Sequence, residues 1–157
     1  MAAIREKKHR LAKKLYSGYA AVSYTKCIKN RKNFFITNDV FDIFESVLLE
    51  LLMQYQCEAH IYLFMPDHVH FLIQGKSGKA DSLQVMYKFA QKTGFWLARN
   101  CSHIKWQKDF YDHILRNDDD LKKVIEYILL NPVRKKIVTD WKNYPFKGST
   151  LYNFDEW

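Results

Sequence analysis

The sequence predicts an α+β sandwich of the split β-α-β (ferredoxin-like) type: a four-stranded antiparallel sheet with helices over one face and a further helix beyond the last strand. Three observations lead there. The hydrophobic period switches between two and 3.6 residues along the chain, in the order β-α-β-β-α-β-α. Pro66-Asp67 marks a tight turn between two apolar runs, which then read as a hairpin. Finally, 157 residues with 48% apolar and 16% aromatic side chains, and only 5 Gly and 3 Pro, suit one folded domain over residues 1–157.

Each element has its own warrant. Residues 19–28 are rich in β-branched and aromatic side chains and read as the first strand. Asn30-Arg31-Lys32-Asn33 is a polar turn. Thr37 or Asn38 then caps a helix to about Tyr55, with Phe41, Phe44, Val47, Leu48, Leu51 and Leu52 at three- and four-residue spacing. The hairpin strands cover about 57–65 and 68–74. Gly75-Lys76-Ser77-Gly78-Lys79 is a basic loop without the glycine–lysine spacing of a nucleotide-phosphate loop. Asp81 or Ser82 opens a second helix that gathers Leu83, Met86, Phe89, Ala90, Gly94 and Leu97 on one side. Gly94 costs that helix about 1 kcal/mol against alanine, which suggests close packing there. The fourth strand falls within 104–115. Asn117 caps the last helix, Asp118, Asp119 and Asp120 match its positive end, and Pro132 stops it. Residues 141–157 carry aromatics without a period and receive no element.

Composition narrows the function. No apolar run reaches the length of a membrane span, and the first 15 residues lack the apolar core of a secretion signal. Cys27, Cys57 and Cys101 form no Cys-x-x-Cys pair, which points to reduced thiols and a cytoplasmic protein. The formal charge is +8, and residues 1–14 supply +5 of it through Arg5, Lys7, Lys8, Arg10, Lys13 and Lys14 against Glu6. Such a basic arm suits either phosphate contacts or a solvated terminus.

Two clusters carry chemistry. In Met65-Pro66-Asp67-His68-Val69-His70, the histidines stand two apart on a strand, so both imidazoles leave the same face and can hold one divalent ion. Taken alone, such a pair is more often a surface or core pair without a metal. Far downstream, Tyr127 and Asn131 stand four apart on one helical face, a phenol that can act as nucleophile beside a carboxamide oxygen that can ligate metal. Tyr127 as core filler and Asn131 as a helix cap remain open on these residues alone.

Together the clusters resemble the single-tyrosine transposases. The conjunction of Trp106-Gln107, Phe110-Tyr111-Asp112-His113-Ile114-Leu115-Arg116 and Tyr127-Ile128-Leu129-Leu130-Asn131-Pro132-Val133-Arg134 is similar to their REP-associated branch. Mobile-element relatives usually carry glutamine where this chain has Asn131. The resemblance implies a nuclease and strand transferase acting on single-stranded or hairpin DNA through a 5′-phosphotyrosine. It makes Tyr127 the nucleophile and gives His68, His70 and Asn131 a Mg2+ or Mn2+ ion. DNA contacts are expected from Lys7, Lys8, Arg10, Lys13, Lys14, Arg116, Arg134, Lys135 and Lys136. Relatives act as a monomer or a homodimer, in some with the tyrosine helix working across subunits. Lys123 is a candidate base for Tyr127. Relatives often place glycine near Lys136, where this chain has none. The alternative function is a non-catalytic or domesticated single-stranded nucleic-acid-binding protein.

Overall fold

A computed structural model describes residues 11–35, 37–116 and 120–157. The elements run β1 (Ala21–Cys27), α1 (Asn38–Gln54), β2 (Cys57–Met65), β3 (His68–Gly75), α2 (Ser82–Asn100), β4 (Tyr111–Ile114), α3 (Leu121–Leu129), α4 (Asn131–Arg134) and β5 (Lys147–Gly148). The sheet is antiparallel in the order β4-β1-β3-β2-β5, so β1 and β3 lie inside it. Two expectations change. A fifth, two-residue strand covers the β2 edge, and the helices occupy both faces of the sheet.

Strand periodicity explains the two faces. Val69, Phe71 and Ile73 of β3 join Val22 and Tyr24 of β1 and Phe64 of β2 in one buried cluster with Phe44, Leu48 and Leu51 of α1 and Met86 and Phe89 of α2. The alternate residues look the other way. Ile61, Leu63, Met65 and Leu72 pack with Ile125, Ile128 and Leu129 of α3. The tail supplies Tyr144 and Phe154 to that second cluster, with the Tyr144 hydroxyl donating to the Phe64 carbonyl at 2.5 Å. Residues 141–157 are therefore the lid of the second core layer. A bulge between Ala59 and Ile61 shifts the parity of β2 and turns His60 toward Tyr152 and Gln74, each 2.7 Å away.

Helix ends follow side-chain chemistry. Asp81 accepts from the Gln84 amide at 3.2 Å to cap α2. Asp120 accepts from the Lys122 and Lys123 amides at 3.0 and 3.3 Å to cap α3; the expected cap, Asn117, lies outside the described residues. Pro132 does not end helical structure. The backbone turns at Leu130 and restarts as α4, with the proline in its first turn, where a missing N–H costs nothing. The chain leaves α4 through Lys136 at φ 60°, so a lysine takes the left-handed turn that glycine takes more easily.

Two glycines contrast. A Cβ on Gly75 would meet the Gly18 carbonyl and stand 2.7 Å from Ala80 Cβ, whereas a Cβ on Gly94 would meet nothing within 4 Å. The close packing expected at Gly94 is absent among the described residues. Urea unfolding should show Gly75→Ala destabilised by about 1–3 kcal/mol through overpacking, and Gly94→Ala stabilised by up to about 1 kcal/mol through helix propensity.

Candidate active site

His68 and His70 sit at the start of β3, on the face that α3 covers, and are 2% and 4% exposed. Their rings meet edge to face with Nε2 atoms 3.1 Å apart, and the Asn131 carboxamide nitrogen lies 3.3 Å from His68 Nε2. Asn131 is buried at the first position of α4, immediately after the Leu130 turn. These three side chains line a cavity of about 230 Å³ with Tyr127, Arg31, Arg134 and Lys135.

The outer nitrogens of both rings are occupied. Asp67 Oδ1 is 2.6 Å from His68 Nδ1, and Thr25 Oγ1 is 3.0 Å from His70 Nδ1. The short carboxylate contact keeps the hydrogen on His68 Nδ1, so in the neutral ring Nε2 offers a lone pair to the cavity. Arg31 Nη2, 3.4 Å from the same Nδ1, therefore stands beside it without donating to it. Its Nε donates to Asp67 Oδ2 at 2.9 Å. Burial opposes charge on Asp67, yet hydrogen bonds from His68 and Arg31 hold its carboxyl well below the usual carboxylate range. Burial, reinforced by His68, Arg134 and Arg31, pushes the His70 pKa well below its ordinary value and keeps that imidazole neutral.

The donor set fits a small divalent cation. Two bonds of about 2.1 Å at a right angle span about 3 Å, close to the separation of the two Nε2 atoms. With the Thr25 hydroxyl accepting from His70 Nδ1, both inner nitrogens become acceptors. A half-turn of the Asn131 carboxamide exchanges Nδ2 for Oδ1 and completes three neutral donors. Among the described residues there is no group of three or more His, Cys, Asp or Glu side chains suited to a metal, so a third donor here would be of another kind, and the Asn131 carboxamide is within reach of His68.

Tyr127 is half-buried in the last full turn of α3. Arg134 reaches back from α4, stacking its guanidinium carbon 3.8 Å from the tyrosine ring centroid while Nη2 donates to the Tyr127 carbonyl at 2.7 Å. That carbonyl belongs to a helix end whose acceptors lack intrahelical partners. The proline restart thus sends Asn131 to His68 and Arg134 back onto the tyrosine.

Other expected residues lie elsewhere. Lys136 lines a separate hollow with Val133 and Ile137. Arg116 is exposed beyond β4, toward the Val22 end of β1, whereas His68 pairs with Cys27 at the other end. Lys13 and Lys14 form an exposed single turn before Tyr16, and Lys7, Lys8 and Arg10 fall outside the described residues. Lys123 is exposed and does not line the cavity. The sequence reading missed Thr25, Arg31 and Asp67 as partners of the histidines. Asp67, adjacent to His68, was the one with a local signal.

This site sits in a chain that belongs to the IS200-like transposases: the family described as "Transposase IS200 like" matches residues 19–130. Among particular proteins, the REP-associated tyrosine transposase of Escherichia coli K12 is 24% identical over 123 residues, covering 78% of this chain and 72% of the relative. A Haemophilus influenzae protein named for the same group is 26% identical over 137 residues, covering 80% of this chain and 77% of the relative. The solved structure of a REP-associated tyrosine transposase bound to a REP hairpin superposes with a TM-score of 0.73 at 21% identity, covering 90% of this chain and 81% of that one.

Thr25 gives a direct check on the site's internal bonding. Thr25→Val keeps the side-chain shape and strand preference but leaves a buried His70 nitrogen without its partner. Urea unfolding should report a loss of about 1–3 kcal/mol.

Proposed function

We propose that this protein cuts and rejoins single-stranded DNA beside a hairpin, using Tyr127 as nucleophile and a Mg2+ or Mn2+ ion held by His68, His70 and Asn131. The observation that carries the reading is one cavity lined by both histidines of β3 and by Tyr127 and Asn131 from the far end of the chain. Family membership supports DNA transposition chemistry, and the hairpin bound to the structural neighbour supports hairpin DNA as the substrate class. Among the described residues no helix is long and apolar enough to cross a membrane, and we take the cytoplasm, where DNA is at hand, as the place of action.

The divalent ion would supply charge stabilisation at a non-bridging phosphate oxygen. Two imidazoles favour manganese by softness, while cellular abundance favours magnesium. Asp67 and Thr25 orient the two rings, and Arg31 fixes Asp67. Arg134 and Lys135 bring positive charge to the side of the cavity where the phosphate would sit. Arg134 also restrains the Tyr127 ring, limiting the directions from which its oxygen can approach. The Tyr127 oxygen forms a bond to phosphorus while the bond to the 3′ oxygen breaks. The phenol proton leaves to solvent and the 3′ oxygen takes up a proton. Attack by a 3′ hydroxyl on the resulting phosphotyrosine reverses the step and joins strands. Tyr127 lines the cavity formed by its own chain's histidines, which supports action in cis.

A denaturing gel with 5′- and 3′-labelled hairpin oligonucleotides in manganese tests this reading. Wild type should form a protein adduct carrying only the 3′ label, and Tyr127→Phe and His68→Ala should form none. An adduct with Tyr127→Phe, or one carrying the 5′ label, would sink the assignment. Asp67→Asn should keep the adduct but raise the manganese concentration for half-maximal yield by about 10–100-fold; an unchanged requirement would remove Asp67 from the support of His68.

A further inference from the structure

Gly94 occupies the middle of α2, costs that helix stability, and has open space where its side chain would be. It lies on the floor of a groove of about 640 Å³ between α2 and the segment before β4. Ala90, Gly94 and Ala98, one helical turn apart, make that floor smooth. The groove residues include Lys26, Lys105 and Lys108 and no carboxylate. Lys26 is 2% exposed, with its ammonium donating to the carbonyls of Gln107, Lys108 and Asp109 at 2.5, 3.3 and 3.3 Å. It adds charge from beneath, whereas Lys105 and Lys108 are exposed.

We infer that this groove seats the sugar-phosphate backbone of the double-stranded stem of the DNA hairpin; this rests on the hairpin-DNA reading proposed above. Charge is the first argument. A smooth cationic channel without acidic residues suits a polyanion, and lysines here can contact phosphates without reading bases. The second is the lack of a stacking platform among the groove residues. The aromatic ring lining the groove is Trp106, whose indole nitrogen donates to Thr93 at 2.8 Å and whose ring packs against Phe35, Phe44 and Phe89. Unpaired bases would find little to stack on, whereas a duplex keeps its bases stacked inside. The third is continuity with the candidate active site. The groove wall is pinned to the end of β1 by bonds of 2.8 Å from Gln107 N to Cys27 O and from Lys29 N to Lys105 O. Cys27 pairs directly with His68, and Lys32 Nζ donates to the His103 carbonyl at 3.3 Å, beside Arg31. The groove lies on the α2 face of the sheet and the cavity on the α3 face, so the single-stranded flank of a stem in the groove would pass around the Cys27–His68 end of the β1–β3 pair to reach Tyr127.

Binding titrations on the full chain test the inference, using a fluorescent blunt hairpin and, separately, oligothymidine as the probes. Gly94→Glu should raise the melting temperature or leave it unchanged, because it replaces a helical glycine, yet weaken hairpin binding by about tenfold or more. Lys105→Gln with Lys108→Gln, both at exposed positions, should lower the slope of log affinity against log salt for the hairpin by about 2. Hairpin binding unchanged in both variants overturns the groove assignment. Equal losses for oligothymidine and hairpin overturn the assignment to a stem. Adduct formation by the wild type on a hairpin oligonucleotide with a single-stranded flank reports separately on the nuclease reading, so the two failures are distinguishable.

Discussion

Two buried imidazole nitrogens facing each other at 3.1 Å are the constraint around which this end of the fold is organised. Nitrogens so close need a shared proton or a shared cation between them. Their outer nitrogens are held by Thr25 and Asp67, so neither ring can turn away without leaving a buried polar atom unpaired. The residues that hold them belong to the middle of the sheet. Thr25 faces His70 across the β1–β3 ladder, and Asp67 is the turn residue immediately before β3. An interior strand cannot shift register without moving its whole apolar set to the wrong face. The histidine geometry is thereby as rigid as the core packing beneath it.

The second half of the cavity is positioned differently. Leu129, Ile128 and Ile125 dock α3 on the sheet, and the break at Leu130 redirects the chain into α4. Asn131 is carried inward to His68, and Arg134 folds back over Tyr127. Pro132 lets one short segment deliver a carboxamide to His68 and a guanidinium to the Tyr127 ring. The tail clamps this arrangement, since Tyr144 and Phe154 complete the apolar layer under α3. On the reading proposed, a ligand pair fixed by the sheet meets a tyrosine on a helix held in place by its own apolar face and by the tail.

Much of this was legible because it depends on periodicity. Strand alternation places His68 and His70 together and turn chemistry locates the hairpin, whereas helical spacing puts Tyr127 and Asn131 on one helix that the break at Leu130 divides into two. The hidden features depend on pairing between distant segments. Nothing local at Thr25 or Arg31 announces a histidine neighbour, and the polar turn at Asn30-Arg31 reads only as a turn. The bulge at His60 and the two residues of β5 leave no periodic trace. The second apolar layer is not legible because the aromatics of 141–157 have no period of their own; they fill space left by α3. Pro132 reads as a stop in the sequence, and its place in the first turn of a new helix depends on the backbone turn at Leu130.

The most direct test of the central claim is a calorimetric titration of the DNA-free protein with manganese, wild type beside His70→Ala, with unfolding monitored to confirm that both are folded. The account predicts one manganese ion per chain in the wild type and loss of that binding in the variant. Absence of manganese binding to the folded wild type, or equal binding by the folded variant, would contradict the two-imidazole seat on which the rest of the account depends.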